Sequence, residues 1–345
     1  MAGSSTDRAW MKISTGTLVK TIASLGLTIL FLWIAFATVD LHAVLGALTL
    51  ADPSGLLLGV GIVFLGTFPR AWRWGLLMRQ VATPAFGRIF GAILAGYAAN
   101  SFVPRSGEVA RVLALREPGA TTGLLATVLV ERILDLLTLL ILFAIVLQII
   151  PGRIRLVYPW LEAVLLTGSV ITVLAVGGIL MLAGAGQRAA GGVNRFFSRF
   201  SIRGGERLSD LVASFAVGLT SVRGPIGYAR VAIHTIVLNA CYALSVYFPF
   251  SSFGFGERYG LGLGDAVVVM AIATLGIVLP TPGGAGTYHV FCSQALTRLY
   301  GVPPEESLAF ATALHAGVFL VFLLTGGPIL ISLLWQRRHR DTTSA

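Results

Sequence analysis

The sequence predicts an all-α polytopic membrane protein with about six full transmembrane helices and two re-entrant hairpins entering from opposite faces. Three observations predict it. The first is composition: 56% of the 345 residues are hydrophobic and 12% are charged, whereas a soluble domain carries about 25% charged residues. The second is the recurrence of long apolar runs, since a helix needs about 20 mostly apolar residues to cross a bilayer. The third is that two apolar segments are interrupted by Pro/Gly clusters, which break helices because Pro lacks a donor and Gly is flexible.

Taken in order, the runs of spanning length lie near 17–39, 54–69, 122–150, 158–185, 227–250 and 308–335. The first follows Arg8, Lys12 and Lys20 and contains Ala35-Phe36-Ala37, which resembles a signal-peptide cleavage site. The stretch 21–39 is long enough to span and further spans follow, so it reads as an uncleaved first helix. The second run is short and is extended by its flanks. Arg70, Trp72, Arg73 and Trp74 beyond it read as an interfacial anchoring belt. The third run is long enough to tilt or project beyond the bilayer.

The two interrupted segments behave differently. Residues 89–103 are apolar and end in Pro104-Arg105-Ser106-Gly107-Glu108; residues 263–279 are apolar, end in Pro280-Thr281-Pro282-Gly283-Gly284-Ala285-Gly286, and resume to Leu299. Broken backbone at membrane depth survives only where it is buried in protein or lines a cavity. Both segments are therefore expected to be re-entrant hairpins.

Basic residues orient the chain by the positive-inside rule. With the N-terminus inside, the loop 40–53 lacks Lys and Arg and lies outside. Counting each loop in turn puts 20 of the 25 basic residues on the cytoplasmic side. The expected organisation is a cytoplasmic N-terminus (1–16), one transmembrane domain (17–335) and a cytoplasmic tail (336–345). The predicted location is the cell (inner) membrane, multi-pass, with both termini cytoplasmic. Broken helices in both halves, entering from opposite sides, fit the inverted repeats of transporters, although no residue-level repeat is visible. Residues 186–226 form the one long soluble-like segment, read either as a linker or as an amphipathic helix (208–219) on the inner leaflet.

Several function classes fall away. The net charge of +10 lies in short basic runs between apolar segments, not in an arm or an aromatic-interleaved face, so topology and anionic lipid headgroups explain it and nucleic acid does not. Cys241 and Cys292 have no CxxC partner, so metal and redox chemistry are not expected. The chain carries no Walker, HExxH, nucleophile-elbow or Asp-rich metal motif, and no cofactor is expected.

Three clusters carry the chemistry that remains. Asn100, Pro104, Arg105, Gly107, Glu108 and Arg111 lie at the first break, with Arg105, Glu108 and Arg111 three apart and hence neighbours on any helix. Glu131, Arg132 and Asp135 lie in the third span. An intramembrane charge costs about 2.5–3.5 kcal/mol on insertion scales, so these residues mark either a substrate path or a closed ion-pair network locking hairpin to span. The third cluster, Thr281, Gly283, Gly284, Gly286 and His289, couples a Gly-rich turn to a helix start. Its amides could hold a phosphate or carboxylate, or the turn could simply cross the core packed in protein. His289 and His315 read as proton-coupling groups or as satisfied buried histidines; His234 and Asn239 read as interhelical hydrogen-bonding groups.

The strings Asn100–Arg111, Glu131-Arg132-Ile-Leu-Asp135 and Pro280-Thr-Pro-Gly-Gly-Ala-Gly286, in that order, resemble the lysylphosphatidylglycerol synthetase transmembrane (flippase-like) family over roughly residues 20–335. The resemblance implies translocation of a lipid between leaflets, in some members an aminoacylated phosphatidylglycerol. His289 stands where that family carries an acidic residue, which argues against a cationic headgroup. No synthase domain follows before Ala345, so aminoacyl lipid synthesis is not expected of this chain. The leading expectation is a lipid flippase or transporter for a polar-headgroup or anionic lipid. Its expected partners are that lipid, a membrane-bound lipid synthase and a second copy of the chain. Two alternatives remain: a non-transporting scaffold for a lipid or envelope synthase, and an intramembrane lipid-modifying enzyme with Glu131 or Glu108 as base.

Overall fold

The computed structural model describes residues 15–37, 39–115, 117, 119–149 and 224–343, with scattered positions between 156 and 174. Most of the span expected at 158–185 and almost all of 186–226 lie outside the described residues. Among the described residues every regular element is helical, and the chain is an all-α polytopic membrane protein.

Helix α1 (Thr15–Phe36) is followed at an angle of 84° by α2 (Leu41–Leu50). The stretch 40–53, expected as a loop, is therefore mostly helix. Its sequence explains this: Asp40 caps the first turn by accepting from the His42 amide at 2.8 Å, and the ten residues after it are free of Pro and formal charge. Only Val44 of α2 is buried, while Leu41, Leu45 and Leu50 are exposed, so one edge rests on protein and the rest is offered to lipid.

Helix α3 (Pro53–Met78) begins at Asp52, whose carboxylate accepts from the Ser54 amide, with Pro53 pre-set at the first helical position. It runs past Pro69, Arg70 and Arg73 without ending, so the span is longer than the apolar run alone implied. Its main partner is α7 (Gly224–Ser252). The two backbones approach closely because the contact face of α3 is glycine: a methyl on Gly59 would fall 2.7 Å from Ser245 O and Pro249 Cγ, and one on Gly55 2.6 Å from Phe248 O. Membrane helices associate through such small residues, since lipid removes the hydrophobic drive between them.

The first hairpin is α4 (Phe86–Phe102) and α5 (Ser106–Leu115), joined by a three-residue turn in which Arg105 takes a left-handed backbone (φ 59°). Asn100 Oδ1 accepts from the Gly107 amide at 2.7 Å, and Gly107 lies directly on the Gly96 carbonyl, so no side chain fits between the two arms. The chain continues into α6 (Thr121–Ile149). After α7 and the short α8 (Phe255–Tyr259), the second hairpin is α9 (Leu263–Val278) and α10 (Thr287–Tyr300). Its turn contains Gly283, Gly284 and Gly286 at φ 58°, 80° and 81°, a conformation that side chains disfavour. Helix α11 (Pro304–Thr343) closes the fold.

Three described helices are long and apolar enough to cross a membrane, Pro53–Met78, Ile226–Ser252 and Pro304–Gln336, and the bent α1–α2 pair would make a fourth. The 29-residue α6 carries three charged residues near its middle. The hairpins meet at their tips: Arg105 Nη2 donates to Val278 O at 3.3 Å, and Gly283 packs against Ser101. The largest apolar core joins α2, α6, α7, α9, α10 and α11 around Phe250, Phe253, Phe255 and Phe310. A smaller core around Trp74, Met78, Ile93 and Leu124 joins α3 to α4, α5 and α6. The charged cluster sits beside this second core.

Candidate functional site

Helix periodicity alone puts Glu131 and Asp135 on one face of α6, and Arg70 and Arg73 on one face of α3. In the fold these faces meet. Arg70 Nη2 lies 2.7 Å from Glu131 Oε1 and 3.0 Å from Asp135 Oδ2. Arg73 Nη2 lies 2.5 Å from Asp135 Oδ1 and 3.5 Å from Glu131 Oε1. Arg111 comes in from α5, its Nη1 making an ion contact of 2.7 Å with Glu131 Oε2. Arg132 pairs with Glu108 at 2.9 Å and reaches Asp135 at 3.6 Å. Four guanidiniums and three carboxylates thus form one network across α3, α5 and α6.

The reading of Arg70 and Arg73 as an interfacial belt is corrected by this geometry: their guanidiniums are buried and ion-paired, and Trp74 beside them is fully enclosed, its indole donating to Thr127 at 3.0 Å. Trp72 alone of the four is exposed. Arg70, Arg73 and Arg111 therefore carry no weight in the positive-inside tally. The signal that could have found them was their three-residue spacing, with the apolar run resuming to Met78 beyond.

Neutral partners extend the network. Arg70 Nη1 donates to the hydroxyls of Tyr97 on α4 and Tyr242 on α7, at 3.0 and 3.2 Å, and Arg73 Nη1 donates to Thr235 at 3.2 Å. Sequence reasoning missed these three residues, since a lone Tyr or Thr in an apolar run carries no pattern. Burying an ion costs several kcal/mol unless it is paired and hydrogen-bonded, and shared carboxylates with tyrosine hydroxyls offset part of that cost here. The network is graded: Glu131 and Arg73 are wholly enclosed, whereas the Asp135, Glu108 and Arg132 side chains are 28, 24 and 43% exposed. One end is a closed foundation and the other an accessible mouth.

Of the residues singled out from sequence, Glu108, Arg111, Glu131, Arg132 and Asp135 come together. Asn100 closes its own hairpin through the Gly107 amide, and Arg105 lies at the tip, bonded to the second hairpin. Thr281, Gly283, Gly284, Gly286 and His289 form a separate centre in the second turn. There Thr281 and Thr287 hydroxyls lie 3.0 Å apart, His289 Nδ1 accepts from the Gly286 amide at 3.3 Å, and His315 Nε2 lies 3.0 Å from Gly283 O. The Gly284 and Ala285 amides are likewise engaged, by Thr281 O and Pro282 O. At these three positions the donors expected to hold an anion are used to fold the turn. Helix α1 covers it, with Ser24 donating to Pro280 O at 2.7 Å.

A family model described as the lysylphosphatidylglycerol synthase TM region matches residues 21–326. This chain belongs to that family. The match takes in both hairpins, the ion network and most of α11, so the described architecture lies largely within the family's membrane region. Among curated proteins, the Haloferax volcanii protein named "Glycosyltransferase AglD" is 25% identical over 96% of this chain. The alignment spans 58% of that relative's length. No solved structure matches.

Proposed function

We propose that this family member translocates a polar-headgroup lipid between membrane leaflets, using the ion network as the headgroup site. One observation carries the reading: a charged cluster enclosed at Glu131 and Arg73 opens at Arg132 of α6 and at Glu108, which lies on the hairpin whose tip abuts the second hairpin. Polar groups at membrane depth are costly and commonly line substrate paths, and paired broken helices are where transporters place their sites. Family membership supports a role in lipid or envelope metabolism. The proposed setting is the cell membrane with both termini cytoplasmic.

The test is a proteoliposome assay of lipid movement, comparing wild type with Glu108→Ala/Arg132→Ala. The reading expects movement above protein-free vesicles and its loss in the double variant. Equal rates would remove the mouth of the network from the mechanism.

The likeness to a protein named as a glycosyltransferase, over only part of its length, favours a second reading in which this membrane domain serves an envelope- or lipid-synthesising enzyme. Co-purification of such an enzyme, together with tolerance of the Glu108 and Arg132 substitutions, would favour it over translocation.

A further inference from the structure

Arg111 is 4% exposed. Its Nη1 faces Glu131, and its guanidinium carbon lies over the Trp74 ring, 4.6 Å from the ring centre. Its remaining donors, Nε and Nη2, are buried without a hydrogen-bond partner. These two nitrogens form one edge of the guanidinium, the edge that grips two oxygens of a phosphate or carboxylate side by side. Three residues earlier on the same face of α5, Glu108 gives Oε1 to Arg132, while its Oε2 is buried and also without a hydrogen-bond partner. One helical turn thus carries an unfilled double donor and, three residues away, an unfilled acceptor. A buried charged group left short of partners is costly, and a ligand carrying the opposite pattern removes that cost.

Charge narrows the class. With four guanidiniums against three carboxylates, the network carries one positive charge in excess. A phosphodiester neutralises it, whereas an aminoacylated headgroup of net positive charge adds to it beside Arg132.

Resting on the reading of this network as a headgroup site, we propose that Arg111 and Glu108 form a subsite for a polyol- or sugar-phosphate headgroup of net negative charge. The Arg111 edge takes two phosphate oxygens, and Glu108 Oε2 accepts from a neighbouring hydroxyl.

The experiment is native mass spectrometry with competition, on the full chain in micelles. The probes are dioctanoyl phosphatidylglycerol, dioctanoyl phosphatidylcholine, an aminoacylated phosphatidylglycerol and glycerol 3-phosphate. Phosphatidylglycerol should bind about tenfold tighter than phosphatidylcholine, which has a phosphate but no donor. Glu108→Ala should abolish that preference. Arg111→Lys, which keeps the charge facing Glu131 but loses the two-donor edge, should weaken both lipids about tenfold or more. Melting temperatures in the same micelles separate these effects from misfolding.

Displacement of phosphatidylglycerol by glycerol 3-phosphate at similar concentration would keep the subsite and assign it to a soluble phosphate. Unchanged affinity in a folded Arg111→Lys, or equal binding of the aminoacylated lipid, would overturn the proposal. Lipid movement by the same wild-type preparation in proteoliposomes reports separately on translocation. Movement without selective binding sinks the subsite alone; selective binding without movement sinks translocation alone.

Discussion

Replacing Glu131 with Gln tests the foundation of the network, because it removes one charge and almost no volume. Glu131 is fully enclosed and faces three guanidiniums, those of Arg70, Arg73 and Arg111. In the variant, Arg70 and Arg73 still hold Asp135 at 3.0 and 2.5 Å. Arg111 has no second carboxylate among its ion contacts, so the loss concentrates there. Breaking a buried pair by deleting one partner costs about 3–5 kcal/mol, because the other charge stays buried and uncompensated. Glu108→Gln makes the contrast: its partner Arg132 is 43% exposed and keeps a contact with Asp135, so the expected loss is about 0–1 kcal/mol. Denaturant unfolding in micelles, followed by tryptophan fluorescence, reads both, since Trp74 lies against Arg111. Adding Arg111→Met to Glu131→Gln should recover much of the loss, because it removes the guanidinium charge that the single variant leaves buried and uncompensated. A Glu131→Gln protein as stable as wild type, or a double variant no better than the single, would refute the view that Glu131 neutralises Arg111.

Close packing predicts a contrast two residues apart on α3. Gly59→Ala should destabilise by about 1–3 kcal/mol as the new methyl meets Ser245 O and Pro249. Gly61→Ala has open space around it and should stabilise by about 0.5–1 kcal/mol through helix propensity; equal effects in unfolding assays would refute the α3–α7 contact. Gly107→Ala drives a methyl onto the Gly96 carbonyl, so cysteine cross-linking between α4 and α5 should fall and lipid movement with it. The Asp52 carboxyl is held below its ordinary value by the Ser54 hydroxyl and amide. A depressed carboxylate contributes stability above its unfolded value and loses it as pH falls through the folded one. Protection of the first α3 amides from hydrogen exchange should therefore persist at neutral pH and decline only below about pH 4; a decline near neutrality would exclude this cap. Cys292 is fully buried and Cys241 partly so, and Cys292 should resist maleimide labelling until the protein is unfolded in SDS.

Much of this architecture was legible because the bilayer reads one-dimensional properties. Run length and breaker position are local, so Pro104–Gly107 and Pro280–Gly286 disclosed both hairpins before any packing was known. The loop 40–53 was misread because missing basic residues were taken as a connection, whereas Asp40 and ten residues free of Pro and formal charge were enough to build α2. Charge assignment failed for a different reason. Arg70 and Arg73 follow Pro69, and a basic pair at the edge of an apolar run usually marks the interface.

The sequence by itself determined a helical membrane protein, two broken segments, and which carboxylates and guanidiniums are candidates for its chemistry. Spacing also set which of them share a helix face. Only the tertiary structure decided that Arg70 and Arg73 turn inward, that Tyr97 and Tyr242 join them, and that the Gly284, Ala285 and Gly286 amides are used within their own turn. The physical reason is that a buried charge is stable only beside its counter-charge, and here those counter-charges lie on α6, about 60 residues from Arg70 and Arg73. No local pattern can state that pairing; the docking of α3, α5 and α6 creates it.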